Sequence, residues 1–367
     1  SRFGMDLARS TTEGLQPKYF LNAFDKADEN TVIANNSRNN YFVWEQTLTY
    51  DQTFGKFKVG ALLGTSAEKT YVSIVNASIQ GIINNDKDMA ILNAGTINPS
   101  VSGYPYDNSM LSFFGRASLD YDSKYLLAVN LRRDGSSKFA DGHKWGTFPS
   151  VSAAWRFSSE AFMKTAHSWL DDAKLRVSYG LIGNQNVPGG LNYSQYGSSI
   201  YDYYCFGSPT TPSIGSGVIT VGNPVMEWET SKQFDLGLDL LLFNNSLEIV
   251  ADYFRKDIDN MLMQEPLPTT LGFPMFPYSN VGSMRNTGWE FGITYRKADF
   301  NFTASANIST YKNEVTSLGN GDAIYGHAFD NVTVLTKTEV GQPVGYFYGY
   351  ATNGIFQNEE QVEGSAQ

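Results

Sequence analysis

Hydrophobic and polar side chains alternate along most of this 367-residue chain, regularly enough to be counted position by position. Between 174 and 181, Leu175, Val177, Tyr179 and Leu181 alternate with Lys174, Arg176, Ser178 and Gly180. Phe300, Phe302, Ala304, Ala306 and Ile308 alternate with Asn301, Thr303, Ser305, Asn307 and Ser309, and Val151, Ala153, Trp155 and Phe157 with Ser152, Ala154, Arg156 and Ser158. The longest series sets Trp228, Thr230, Phe234, Leu236, Leu238 and Leu240 against Glu229, Ser231, Gln233, Asp235, Gly237 and Asp239, and only Lys232 interrupts its apolar side. A period of two belongs to an extended strand whose two faces meet different surroundings. Noisier strands follow over 41–50, 56–69, 110–121, 125–134, 246–257, 286–296 and 343–352, with a partial one at Arg2 to Ala8, making about twelve in all.

The connections alternate as well. Tight turns at Asp51 to Gly55, Asp122 to Lys124, Phe243 to Asn245 and Lys297 to Asp299 take turns with long polar loops at 10–40, 70–109, 183–226, 258–285 and 313–342. Two intermediate connections keep the order: 135–146 falls on the long side, and 159–172, with a single-turn helix around Glu160, Phe162, Met163 and Trp169, on the short side. An up-and-down barrel in a membrane has this parity, with short turns at one rim and long loops at the other. The pattern therefore predicts an all-β chain, an antiparallel up-and-down transmembrane β-barrel portion across residues 1–367, its apolar face toward lipid and its Ser, Asn, Gly, Asp and Arg face toward a wet lumen. Lys232 on the lipid parity lies near the outer end of its strand, where a lysine can reach water. Alternation of this kind also describes a soluble antiparallel β-protein such as a secreted carbohydrate-binding sandwich, which stands as the alternative.

Composition narrows the picture. With 27 Lys plus Arg against 37 Asp plus Glu the net charge is -10, which argues against a nucleic-acid partner. A charged fraction of 17% with 22 Tyr, 24 Phe and 6 Trp argues for a folded chain. No apolar run approaches the roughly 20 residues of a spanning helix, whereas abundant Gly and aromatics suit a barrel wall, in which only every second residue is apolar. Cys205 is the single cysteine, so no disulfide framework follows from this chain.

A set of motifs then resembles a known family. Arg133-Asp134-Gly135-Ser136-Ser137-Lys138-Phe139, Lys144-Trp145-Gly146, Phe148-Pro149-Ser150, Ala153-Ala154-Trp155-Arg156 and Leu175-Arg176-Val177-Ser178-Tyr179-Gly180 with Gly183-Asn184 occur in an order similar to the barrel of SusC/RagA-type TonB-dependent transporters of Bacteroidota. Asn223-Pro224, Trp228-Glu229-Thr230-Ser231-Lys232-Gln233, Asp252-Tyr253-Phe254, Asn280-Val281-Gly282, Asn286-Thr287-Gly288-Trp289-Glu290, Gly341-Gln342-Pro343-Val344-Gly345 and Gly354-Ile355-Phe356 extend the resemblance from about Tyr41 onward. Members of that family are longer, with an N-terminal plug and about 22 strands. The resemblance therefore implies an internal barrel portion without the plug domain and without the final strands. It also implies an outer-membrane location, a SusD-like surface lipoprotein as lid, TonB acting through a plug that this chain does not hold, and no cofactor.

No constellation for covalent chemistry stands out. His143, His167 and His327 are scattered, and Glu227 and Glu229, two apart on a strand, read first as lumen-facing carboxylates rather than a glycosidase pair. Asp134 to Phe139 reads as a rim turn tied down by Arg133 and Asp134. The best binding candidates are the aromatics of two long loops, Tyr193, Tyr196, Tyr201, Tyr203, Tyr204 and Phe206 in one and Phe273, Phe276 and Tyr278 in the other, because aromatic faces with hydroxyl tips suit sugars and peptides. The expected role is energy-coupled uptake of oligomeric glycans or peptides across the outer membrane. The alternatives are a SusC-like barrel that serves as scaffold in a larger envelope complex, and a secreted β-rich glycan-active enzyme.

Overall fold

A computed structural model describes residues 1–23, 25–83, 86–197, 203–204, 213–264, 270, 277–297, 300–319, 321–326, 334–351 and 354–364. Eleven strands form one antiparallel sheet: β1 (Arg2–Gln16), β2 (Thr31–Phe54), β3 (Phe57–Gln80), β4 (Ile97–Tyr121), β5 (Tyr125–Ser136), β6 (Trp145–Trp155), β7 (Leu170–Asn184), β8 (Glu229–Leu242), β9 (Leu247–Gln264), β10 (Tyr278–Lys297) and β11 (Phe302–Leu318). Each pairs only with its neighbours in sequence, which is the up-and-down topology the connection lengths predict.

Register gives the two faces their meaning. One rung across β7 to β11 reads Leu175, Leu238, Ala251, Phe291 and Ile308, and the adjacent rung reads Arg176, Gly237, Asp252, Glu290 and Ser309. Apolar and polar side chains are thus sorted by face over five consecutive strands. Among the described residues no second sheet covers the apolar face, since Leu175 is 39% and Phe302 52% exposed. A soluble sandwich would bury that face against another layer, so the exposed belt favours lipid.

Aromatic residues bound the belt at both ends. At the short-turn end, Phe54, Phe57, Tyr121, Tyr125 and Trp155 stand opposite one another in turn across β2 to β6. At the long-loop end, Phe113 stacks on Trp145 at 6.2 Å and Tyr253 meets Trp289 in a tilted contact at 5.0 Å. Trp145 and Trp155 close the two ends of β6. At about 3.4 Å per residue and a tilt of about 40°, they lie roughly 26 Å apart along the membrane normal, the height of an outer-membrane apolar band. Beyond Tyr253 the outward face becomes charged. Lys232 pairs with Asp259 at 2.7 Å, and Asp257 is held by Arg255 at 2.8 Å and Arg285 at 2.6 Å. Lys232 therefore sits at the edge of the belt with a partner.

Three expectations need correction. Segments 10–40 and 70–109 are loops only at 17–30 and 81–96, because β1 to β4 continue well past the belt. Asn35, Asn36, Ser37 and Asn39 put polar side chains on both faces of β2 there, so the ladder continues without a periodic signal. Segment 343–352 is not a barrel strand. Only Tyr346–Phe347 is extended, in a small sheet with Ile324–Tyr325 and Thr336–Thr338. Gly341 and Gly345, at φ +85° and +64°, turn the chain there, and near the end of β11 the Gly341 amide donates to the Val315 carbonyl and the Val315 amide to the Gln342 carbonyl. Trp228, finally, does not face lipid. The β8 ladder begins at Glu229, which leaves the Trp228 indole free to turn into the rim, where it is buried.

Candidate functional site

The polar face carries a charge network at mid-barrel. Arg176 on β7 donates to both oxygens of Asp239 on β8, at 2.7 to 3.1 Å, and its second amino group also reaches Asp252 Oδ1 on β9 at 2.9 Å. Lys174 Nζ lies 2.9 Å from Asp239, and Ser178 Oγ donates to Asp235 at 3.0 Å. Gly237 lies under this crossing: a Cβ there would meet both the Asp252 carboxylate and the Arg176 guanidinium. Asp51, Lys58, Arg116, Ser152 and Asp235 extend the polar lining along a groove of about 520 Å³. Such a wall presents paired charges and hydroxyls on one face.

The long-loop rim is built around a different chemistry. Pro149 carries no N–H, and the β6–β7 ladder ends beside it at Ser150 opposite Gly180. Where the two strands part, Phe139, Phe148, Val187, Leu191, Met226 and Trp228 pack into a buried cluster. Phe139 and Phe148 lie 5.2 and 5.4 Å from the Trp228 ring, whose Nε1 donates to the Lys144 carbonyl at 2.9 Å. Gly146 and Gly183 are the floor on which the Phe148 ring lies, and a Cβ at either would collide with it. Lys138 closes the cluster by donating to the Val187 and Gln185 carbonyls at 2.8 and 3.3 Å, and burial there pushes its ammonium below the usual lysine range.

The motif turn at Asp134 is tied by another arginine than expected. Neighbouring residues of a strand point to opposite faces, so Arg133 leaves Asp134 behind and lies over the Trp145 ring at 5.4 Å on the outward side. Arg132, two positions from Asp134, shares its face and donates to it at 2.8 Å while also reaching buried Ser112 at 3.0 Å. Ser136 and Ser137 fasten the turn through backbone bonds to Lys144 and Ser109. Gly135 leaves room for the Trp145 ring. Trp155 Nε1 donates to Glu160 and Arg156 pairs with Asp172, so both belong to the short-turn end.

The two acids are engaged separately. Glu229 accepts from Asn184 Nδ2 at 3.0 Å and from the Leu262 amide, and Glu227 meets His143 at 2.9 Å. Asn280 clamps the backbone at Glu227 with bonds of 2.8 and 2.9 Å, and Asn223 donates to the Tyr278 carbonyl at 3.0 Å. These asparagines fix where the long loop 185–228 leaves the rim, a role the sequence showed only as motif letters.

Of the aromatic candidates, Tyr193 and Tyr196 are well exposed on a small hairpin in which Gln195–Gly197 pairs with Gly217–Thr220. Gly222 lets that hairpin pass against the Tyr193 backbone, where a Cβ would not fit. Tyr203 and Tyr204 pair with Ile214 and Ser213 through their backbone. Tyr278 is half-buried and packs against the rim cluster. Tyr201, Phe206, Phe273 and Phe276 lie outside the described residues.

Comparison with known proteins agrees with this architecture. The family description "TonB dependent receptor-like, beta-barrel" matches residues 3–357, and so reaches well before Tyr41. TonB-dependent receptor P3 of Formosa agariphila is 31% identical over 373 aligned positions, covering 99% of this chain and 36% of the receptor. TonB-dependent receptor SusC of Bacteroides thetaiotaomicron is 31% identical over 263 positions, covering 70% of this chain and 25% of SusC. Among solved structures, that of the RagAB peptide transporter superposes with a TM-score of 0.76 at 25% identity, covering 94% of this chain and 37% of the other. The chain spans about a third of the length of such relatives. The chain belongs to the TonB-dependent receptor family, as a SusC/RagA-like portion of its outer-membrane β-barrel.

Proposed function

We propose that this chain is the wall and part of the rim of an importer that takes oligomeric nutrients, peptides or glycans, across the outer membrane. The observation that carries the reading is the pairing of a lipid-exposed apolar belt with a charged, hydroxyl-lined inner face, topped by a rigid rim that presents Tyr193 and Tyr196 to solvent. The names of two relatives support it, one a TonB-dependent receptor called SusC and the other a peptide transporter.

In this reading cargo is captured on the long-loop side beneath a SusD-like surface lipoprotein. The aromatic loops supply flat apolar contact and hydroxyl tips, with Tyr201, Tyr203, Tyr204, Phe206, Phe273 and Phe276 as the further candidates that the sequence names beside Tyr193 and Tyr196. TonB, pulling on a plug elsewhere in the full protein, drives the change from the capped to the open state, and passage follows the polar face. The driving force is a difference in affinity between states, with no covalent step.

The test is uptake by cells that carry the full-length protein with Tyr193→Ser and Tyr196→Ser together. Uptake and cargo affinity should fall severalfold while thermal stability is kept, because both rings are exposed. Unchanged affinity would remove the loops from the account, and a normal envelope assembly with no uptake in the unsubstituted protein would favour the scaffold reading.

A further inference from the structure

Most short-end connections are brief: residues 55–56 join β2 to β3, 122–124 join β4 to β5, and 243–246 join β8 to β9. The link from β6 to β7 is residues 156–169 and holds two 3-10 segments, Phe157–Ser159 and Ala161–Ser168. It is firmly built. Glu160 receives the Tyr125 hydroxyl at 2.5 Å and the Trp155 indole at 3.3 Å, and lies 3.5 Å from Lys124 Nζ. Ser158 Oγ donates to Asp172 at 2.7 Å, its carbonyl bonds His167 Nε2 at 2.9 Å, and the Trp169 carbonyl accepts from the Phe243 amide.

The direction in which this segment folds is the informative feature. Phe157, Met163 and Ala166 pack on Leu170, Ala173 and Leu242, with Leu240, Leu247 and Ile249 alongside. Ala173, Leu240 and Ile249 share a rung two positions below Leu175, Leu238 and Ala251, so the segment lies against the lipid-facing side and continues the apolar belt downward. Its outer surface sets two large aromatics among the exposed polar residues Lys164, Thr165, His167 and Ser168. Phe162, 6.3 Å from Trp155, is 66% exposed, Trp169 is 48% exposed, and Lys164 beside them is exposed as well.

Two large aromatics with a cation, continuous with a lipid-facing belt, have the chemistry of a membrane interface, where rings sit at headgroup depth and lysine meets phosphate. We infer that residues 161–169 form an interfacial anchor in the inner leaflet, with Phe162 and Trp169 at the boundary of headgroups and acyl chains and Lys164 at glycerophospholipid phosphates. The anchor fixes the depth and tilt of the barrel on one flank. This holds whatever the cargo is.

The experiment uses the full-length protein with its native cysteines removed and single nitroxide labels at Phe162→Cys, Trp169→Cys, Lys56→Cys or Asn244→Cys, in bilayers of phosphatidylethanolamine and phosphatidylglycerol at high lipid excess. Labels at 162 and 169 should collide more with oxygen than with a water-soluble nickel chelate, and labels at 56 and 244, in the short turns, should show the reverse. Nickel-dominated collisions at 162 and 169 would overturn the inference. So would dipolar broadening between labels on two molecules, which would show a second copy covering the segment.

Discussion

Gly237 on β8 stands directly opposite Arg176 on β7, and its missing side chain lets the guanidinium pass over β8 to Asp252 on β9. One arginine thereby ties three strands on the polar face.

Gly237→Ala should break the reach to Asp252. The expected cost is about 1–3 kcal/mol, that of a charge-assisted bond lost in a half-buried setting. In an Arg176→Ala background the same change should cost almost nothing more, so a double-mutant cycle of unfolding in detergent isolates the coupling. Equal costs in both backgrounds would mean that the glycine serves something else.

The two arginines beside Asp134 should behave oppositely despite their adjacency. Arg132→Ala leaves a buried carboxylate without its cation and should destabilise by about 1–3 kcal/mol. Arg133→Ala loses only a stacking contact over Trp145 and should cost about 0.5–1 kcal/mol. Thermal unfolding of the two variants side by side decides the point.

How far the sequence could be read follows from what each segment meets. Alternation was legible wherever lipid touched one face and water the other, as at Leu175 to Leu181 and Phe302 to Ile308. It failed at Asn35 to Asn39, where polar side chains occupy both faces of a strand whose ladder continues. The surroundings of the candidate residues were legible only in part. Tyr193 and Tyr196 are exposed as their composition suggested, but Tyr278 packs inward, and the cluster of Phe139, Phe148, Met226 and Trp228 joins residues from three separate segments that no periodicity connects. A signal was present in the glycines: Gly146 and Gly183 lie where only a missing side chain admits Phe148.

Phe139→Ala should therefore destabilise the rim strongly, by about 3–5 kcal/mol, since the ring is fully buried against Trp228. Trp228→Phe should cost about 1 kcal/mol for the lost bond to the Lys144 carbonyl. Faster proteolysis at loop 185–228 with the membrane portion intact would localise both effects to the rim.

Lys138 gives the rim a pH dependence of defined sign. Burial lowers its value in the folded protein, so between that lowered value and the ordinary lysine value the unfolded chain binds more protons. Stability contributed by this group should rise as pH rises through that window and be flat below it. Subtracting the Lys138→Met profile from that of the unsubstituted protein over alkaline pH isolates the slope, and a falling difference would contradict the burial.

Period-two cysteine labelling along β7 in the full-length protein tests the central claim most directly. In proteoliposomes a water-soluble maleimide should react at Arg176→Cys and Ser178→Cys but not at Leu175→Cys, Val177→Cys or Tyr179→Cys, and the silent positions should react once lipid is exchanged for a short-chain detergent. Uniform reactivity along the strand, or reaction confined to 175, 177 and 179, would show that the apolar face does not meet lipid and would end the account.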